Sequence, residues 1–217
     1  MPHNRFKIIF EDNFIIIVDK PPGLLVIPTP KKETNTLTTL LNRELDNRKL
    51  EVNAYPCHRL DRETSGLIIY AKGKRNQKVV MDVFKTKMIK KIYIAFVHGI
   101  VKKSFDIVKR PVYNRNKKRF EEALTKYGVS ERRNNFSVVE IEPVTGKTNQ
   151  IRIHMKEIGH PLVGESVYAF RKDFKLKFKR AALHAGYISF VHPFAKDRME
   201  FKSSLPEDMK RFLENNK

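Results

Sequence analysis

The sequence predicts an α+β fold, and three observations predict it. Two β-rich runs, Phe6-Lys7-Ile8-Ile9-Phe10 and Phe14-Ile15-Ile16-Ile17-Val18, flank Glu11-Asp12-Asn13 and read as an antiparallel hairpin. Further apolar runs, Leu67–Ala71 and Ile92–Val97, have the length of strands buried on both faces. Between them lie stretches with apolar residues at helical spacing.

Composition narrows the class of protein. The 217 residues are enough for one substantial core, and an apolar content of 41% suits a globular chain. Lys plus Arg number 44 against 24 Asp plus Glu, a net charge of +20. So large an excess calls for a polyanionic partner, either nucleic acid or an anionic membrane surface. No apolar run is long enough to span a bilayer, and Met1-Pro2-His3-Asn4-Arg5 lacks the apolar core of a signal peptide. The single cysteine, Cys57, excludes an intrachain disulfide and reads as a buried thiol. These features predict a cytoplasmic, nucleic-acid-binding protein.

After the hairpin, Asp19-Lys20-Pro21-Pro22-Gly23 ends the strand, because proline cannot donate to a ladder. Leu24–Ile27 then reads as a short strand. Lys20 is either a solvated turn lysine or a residue that reaches a binding site. Residues 34–47 carry Leu37, Leu40, Leu41 and Leu45 at helical spacing, with Thr or Asn to cap the helix. Residues 73–88 place Val79, Val80, Val83 and Phe84 on one helical face, with Lys74, Arg75, Lys78, Lys85 and Lys87 around it.

Lys90–Gly99 reads as a buried strand, with Tyr93 its one polar-tipped interior residue. Residues 102–135 are basic, including Lys109, Arg110, Arg115, Lys117, Lys118 and Arg119, and show no clear period; weak strands and loops are expected there. Phe136–Ile141 returns to strand character. Thr148 then caps a helix with Ile151, Met155 and Ile158 on one face, leaving Gln150 and Arg152 to point into a cleft. Gly159 ends it, with Pro161 following. Arg152 is either a surface ion-pair partner or a functional cation. Ala182–Phe190 reads as a strand, and residues 206–215 as a closing helix with Met209, Phe212 and Leu213 inward.

One stretch carries a chemical signal: His58-Arg59-Leu60-Asp61-Arg62-Glu63-Thr64-Ser65-Gly66-Leu67. A polar loop running straight into a buried strand is a way to hold a reactive group rigidly. Asp61 is either a turn carboxylate neutralised by Arg59 or Arg62, or a nucleophilic or proton-transferring carboxylate kept ionised by a guanidinium. The pattern His-Arg-Leu-Asp-x-x-Thr-Ser-Gly-Leu resembles the signature of the RluA-type pseudouridine synthases. The resemblance extends through five further blocks in family order. These are the opening hairpin with Val18-Asp19-Lys20-Pro21, Lys91-x-Tyr93-x-Ala95-x-Val97-x-Gly99, Gly146-Lys147-Thr148-x-Gln150-Ile151-Arg152-x-His154, Gly159-His160-Pro161, and Leu183-His184-Ala185 with His192-Pro193. Asn149 and Glu165 depart from the family's usual His and Asp.

The resemblance implies a mostly antiparallel, twisted mixed sheet flanked by helices, with the active-site cleft across it, formed by residues 1–217 as a single catalytic domain. Because the hairpin begins at about the sixth residue, no appended RNA-binding domain is expected before it. It implies isomerisation of uridine to pseudouridine in ribosomal RNA, transfer RNA or both, with no cofactor. Catalytic roles fall to Asp61 as nucleophile or base, to Arg152 as its ion-pair partner, and to Tyr93 as the residue that stacks on uracil. Leu183 lines the apolar side of the pocket, and Lys20 reaches the active site. A uridine in a stem has to be flipped out, and Arg59 either fills the vacated stack or forms a structural salt bridge. Neither a phosphate-cradling glycine loop nor a dinucleotide fingerprint is present. His154, His160, His184 and His192 lack ligand partners at zinc spacing, so no metal is expected. The strong positive charge favours a monomer. Two rivals remain at this level: a non-catalytic RNA-binding or ribosome-assembly factor on the same fold, and a metal-dependent nuclease. The second would require clustered carboxylates, and here they are scattered.

Overall fold

A computed structural model describes residues 6–85, 89–114, 117–169 and 176–217. Lys87, Arg115 and the side chains of Phe84 and Lys85 lie outside that description. In chain order the first elements are β1 (Lys7–Glu11), β2 (Ile15–Lys20), α1 (Leu37–Asn47), β3 (Ala54–Pro56), β4 (Ser65–Lys72) and α2 (Lys74–Lys85). They are followed by β5 (Lys90–His98), β6 (Phe105–Lys109), β7 (Val112–Asn114), β8 (Arg119–Glu121), β9 (Leu124–Arg132) and β10 (Phe136–Pro143). The last are α3 (Gln150–Glu157), β11 (Leu183–Val191), β12 (Arg198–Lys202) and α4 (Glu207–Asn215). This is the α+β class read from the sequence. Contacts group the chain into two compact units, Met1–Lys90 with Tyr187–Ser204, and Lys91–Gly186 with Leu205–Lys217.

In the first unit the expected hairpin is present. Asp12 Oδ1 accepts the amides of Phe14 and Ile15, both at 2.7 Å, and so turns β1 into β2. β2 runs antiparallel to β4, with Ile15 opposite Ala71 and Lys20 opposite Gly66. The end of β11, from Tyr187, pairs with β12. Ile15, Ile17, Leu67, Ile69, Val80, Ile188 and Phe190 form the core. Continuous apolar runs are what strands covered on both faces require. Leu24–Ile27 is not the strand its composition suggests. The carbonyls of Leu25 and Val26 accept the amides of Leu37 and Thr38, at 2.7 and 3.1 Å, which satisfies the open N-terminus of α1. Thr36 caps that helix from the other side, accepting from the Thr39 amide.

In the second unit β10 pairs antiparallel with both β5 and β9, and β6 pairs with β9. Phe96, Phe136, Val138, Val163, Met209 and Phe212 pack as its core, so α4 buries Met209 and Phe212 as expected, while Leu213 packs against them only partly buried. The basic stretch after residue 102 is more ordered than its sequence suggests, forming β6, the separate β7–β8 hairpin and the nine-residue β9. Its apolar period is weak because the buried positions of β9 include Tyr127 and Thr125, the latter held by Gln150 and His154. Among the described residues no helix is long and apolar enough to cross a membrane.

Candidate active site

The Asp61 loop is held by its backbone. Between β3 and β4, the Cys57 amide donates to Ile69 O at 2.9 Å, and the Ile69 amide donates to His58 Nε2 at 3.0 Å. Asp61 O accepts the Thr64 amide at 3.1 Å and closes the turn. The next carbonyl, that of Arg62, accepts the Gly23 amide at 2.8 Å and Lys20 Nζ at 3.2 Å. Lys20 Nζ also donates to the carbonyls of Pro21 and Leu24, both at 2.9 Å. Lys20 is 0% exposed, so it is not a solvated turn lysine. It ties the Pro21–Leu24 turn to the Asp61 turn. Gly23 has a φ of 83°, a left-handed conformation suited to glycine at this tie.

Neither arginine beside Asp61 neutralises it. Arg62 is exposed and its Nε donates to Gly23 O at 3.3 Å. Arg59 is exposed, with no hydrogen bond or ion pair among the described residues. Asp61 is half-buried. The thiol of Cys57, four residues earlier, is buried, and burial pushes its pKa up to about 12. It is therefore a protonated packing group at neutral pH.

In the second unit Arg152 stands on α3 with its guanidinium gripped on three sides. Nη2 and Nε donate to Glu165 Oε1 and Oε2 at 2.7 and 2.8 Å. Nη1 donates to Asn149 Oδ1 at 3.2 Å, and the Tyr168 ring lies 5.3 Å from Cζ. Glu165 Oε1 also accepts the amides of Ser166, Val167 and Tyr168 at 2.9, 2.8 and 3.2 Å. Burial alone would raise the Glu165 carboxyl, but Arg152 and the amides of Val167 and Tyr168 outweigh it and hold the pKa below the ordinary value. Gly164 makes the turn possible. Its φ is 78°, and a Cβ there would lie 2.0 Å from Arg180 O.

Arg152 thus has a carboxylate partner within its own unit, and Glu165 is the residue that sequence reasoning missed. The two positions that depart from the family pattern, Asn149 and Glu165, are both on the Arg152 side chain. The departures themselves were the available signal.

Two expectations for this helix are corrected. Asn149, at φ 55°, precedes the first turn in place of Thr148, and it makes no side-chain cap bond. Gln150 does not face a cleft. Its Oε1 accepts from Thr145 Oγ1 at 2.7 Å, while Nε2 donates to Leu124 O and Thr125 Oγ1, both at 2.9 Å. The helix ends as expected at Gly159, whose amide donates to Lys156 O while that of His160 donates to Met155 O.

Tyr93 is buried in β5 opposite Ile141 of β10. Lys91 shares its face of the strand, and burial lowers the pKa of that ammonium. Leu183 is buried at the start of β11. Its carbonyl accepts Arg180 Nη1 at 3.2 Å, and Arg180 is in turn fixed by Asp208 of α4 at 2.7 and 3.0 Å. Among the described residues no group of three or more His, Cys, Asp or Glu side chains is placed to hold a metal ion. His154 sits between Thr125 Oγ1 at 2.8 Å and Arg110 O at 3.0 Å, and His192 Nδ1 accepts the Ala195 amide at 2.9 Å.

The profile of the RNA pseudouridylate synthase family matches residues 14–157, a span that contains Asp61, Tyr93 and Arg152. The uncharacterized RNA pseudouridine synthase YlyB of Bacillus subtilis is 35% identical over 219 residues, 96% of this chain and 72% of the relative. The dual-specificity RNA pseudouridine synthase RluA of Vibrio cholerae is 36% identical over 196 residues, 86% of this chain and 77% of that one. The ribosomal large subunit pseudouridine synthase D of Buchnera aphidicola is 34% identical over 233 residues, covering 98% and 74%. The solved structure of human RNA pseudouridylate synthase domain containing 4 has the same fold, with a TM-score of 0.80 at 21% identity over 95% of this chain and 91% of that one.

The chain belongs to the RNA pseudouridylate synthase family, as an RluA-type catalytic domain. It is an RNA-modifying isomerase.

Proposed function

We propose that this synthase isomerises uridines of ribosomal RNA, transfer RNA or both, with Asp61 as the group that opens the glycosidic bond. Relatives named for the large ribosomal subunit and for dual specificity support that substrate class. The observation that carries the Asp61 assignment is how its turn is held. Backbone bonds and a buried lysine fix the turn, and neither adjacent arginine is spent on its carboxylate. That is the preorganisation a nucleophile needs.

In the reaction the C1′–N1 bond breaks, the ring turns, a C1′–C5 bond forms, C5 loses a proton and N1 gains one. Nothing is oxidised or reduced, so no cofactor is required. Asp61 attacks the sugar or the ring. Tyr93 stacks on the uracil and takes the C5 proton. Arg152 is the cation that favours the ionised form of Asp61, and Leu183 covers the apolar side of the base. Arg59, exposed beside Asp61, fills the stack that the flipped uridine leaves. Lys20 acts on the substrate through the turn it secures. The exposed lysines of α2 and of the stretch after residue 102 bind phosphates, with an affinity that falls steeply as salt rises. Residues 1–217 act as a single catalytic domain, as a monomer in the cytoplasm.

The test is pseudouridine mapping of total RNA from cells with and without the protein, with rescue by wild type or by Asp61→Ala. Specific sites should vanish, return with the wild type and stay absent with Asp61→Ala. Full rescue by Asp61→Ala would take the catalytic role away from that residue. If the only sites lost lay outside ribosomal and transfer RNA, the substrate assignment would fall.

A further inference from the structure

The β7–β8 hairpin has two unlike faces. Tyr113 and Phe120 are directly opposite each other across the ladder and share one face. They are 48% and 68% exposed, and their rings meet edge to face at 5.2 Å. Val112, Asn114, Arg119 and Glu121 occupy the other face. That face is internally satisfied: Asn114 Nδ2 and Lys117 Nζ both reach Glu121 at 2.8 Å, and they hold its carboxyl down to about 2. The hairpin therefore meets its polar needs on one side and presents bare aromatic surface on the other.

The hairpin and its root carry an excess of cations. Lys109, Arg110, Lys117, Lys118 and Arg119 are all exposed, and Glu121 lies 2.8 Å from Lys117 and 3.9 Å from Arg119. An exposed aromatic pair on a hairpin rich in lysines and arginines matches an unpaired stretch of nucleic acid, in which bases stack and phosphates need counter-charge. A protein partner would need an acidic surface that also carries a stacking group at this point, whereas an unpaired RNA strand supplies both bases and phosphates along its whole length.

The root of the hairpin is anchored. The Arg110 amide donates to Ala123 O at 3.2 Å and closes the base, and buried His154 bonds Arg110 O at 3.0 Å. His154 lies on α3 two residues after Arg152, so the helix that carries the catalytic guanidinium also fixes the hairpin root.

We propose that Tyr113 and Phe120 form a stacking platform for unpaired bases of the RNA substrate, with the exposed Lys118 beside it as a phosphate contact. The proposal rests on the reading of this chain as an RNA-modifying enzyme, and it names a substrate contact that the catalytic motifs do not contain. A stacked segment would be held in fixed register with α3. Recognition would thereby favour uridines in or beside loops.

The aromatic pair also stabilises the hairpin, so the test separates stacking from folding. Phe120→Leu keeps an apolar cross-strand contact and removes the π face; Phe120→Tyr keeps both. Fluorescence anisotropy at low salt compares a labelled oligouridine strand with a blunt RNA duplex of equal length. Phe120→Leu should weaken oligouridine binding about tenfold, the effect expected for one stacked base, and leave duplex binding unchanged. Phe120→Tyr should bind as the wild type does, and the thermal unfolding of all three proteins should coincide. The platform is refuted by equal losses on both probes, by no loss on either, or by a wild type that does not bind oligouridine. A hairpin that docks protein instead would give the second of these. Failure of the broader reading looks different, since the wild type would then leave no pseudouridine in any RNA.

Discussion

Lys20 and Arg152 are both buried cations, 0% and 8% exposed, and they are anchored by opposite chemistries. Lys20 donates to three main-chain carbonyls, so what it fixes is the course of the backbone through two turns. Arg152 meets a carboxylate through two nitrogens, so what is fixed there is a side chain. A spherical ammonium can serve acceptors converging from several directions, whereas a planar guanidinium matches the flat carboxylate of Glu165. Under the proposed mechanism, backbone anchoring suits the loop that would present Asp61, and side-chain anchoring suits a cation that would have to stay aimed. The two regions should therefore fail differently when cut.

The largest effect is expected on the carboxylate side, at the glycine that makes its turn. Gly164→Ala forces a left-handed φ of 78° on a residue with a Cβ and drives that atom to 2.0 Å from Arg180 O. Left-handed strain and overpacking together should cost about 3–5 kcal/mol, read as a lower midpoint in urea unfolding. An unchanged midpoint would mean that the turn has room it does not show.

Lys20→Met comes next. It keeps the length of the side chain but strips a donor from three carbonyls, and should cost about 3 kcal/mol. Activity should fall with stability, because the Asp61 turn loses its tie to Pro21–Leu24. If Lys20→Met stayed as stable as the wild type while losing activity, Lys20 would be a substrate contact rather than a strut.

Glu165→Gln is milder, since the amide keeps an oxygen for Arg152 or for the main-chain amides. A loss of about 2 kcal/mol is expected, with turnover down about ten- to a hundredfold from a loosened guanidinium and RNA affinity little changed. Because the folded pKa of Glu165 lies below its ordinary value of 4.5, its contribution is complete above that pH. It is lost as pH falls through the folded value. The acid limb of the wild-type stability profile should therefore be steeper than that of Glu165→Gln below pH 4.5. Parallel limbs would remove the ion pair from the account.

The same contrast separates what the amino-acid sequence makes legible from what it does not. β2, β4 and the Asp61 loop were legible because apolar runs and a contiguous motif are local. Leu24–Ile27 misled because composition does not say where carbonyls go, and here they cap α1. β9 was obscured because Thr125 is buried through bonds to Gln150 and His154, partners distant in sequence. Glu165 was seen only as a departure from a pattern. Its role depends on the Gly164 turn bringing it to a residue one helix earlier, which no periodicity encodes. β12 alternates charged and apolar residues, Arg198-Met199-Glu200-Phe201-Lys202, and was there to be read.

The smallest expected effect tests the backbone-anchored side from within. Cys57 lies in the stitching of the Asp61 loop, and its amide, not its sulfur, carries the bond to Ile69. Its thiol is 3.9 Å from Tyr55 O, too weak a contact to set the loop. Cys57→Ala should therefore lose only packing, about 1 kcal/mol, and keep full turnover. The wild type should also resist thiol alkylation at pH 8, because burial holds the thiol protonated up to about 12. If Cys57→Ala lost turnover while keeping its fold, the Cys57 thiol, and not only main-chain bonds and Lys20, would be shaping the Asp61 turn. The division between a backbone-held carboxylate loop and a side-chain-held cation would then not stand.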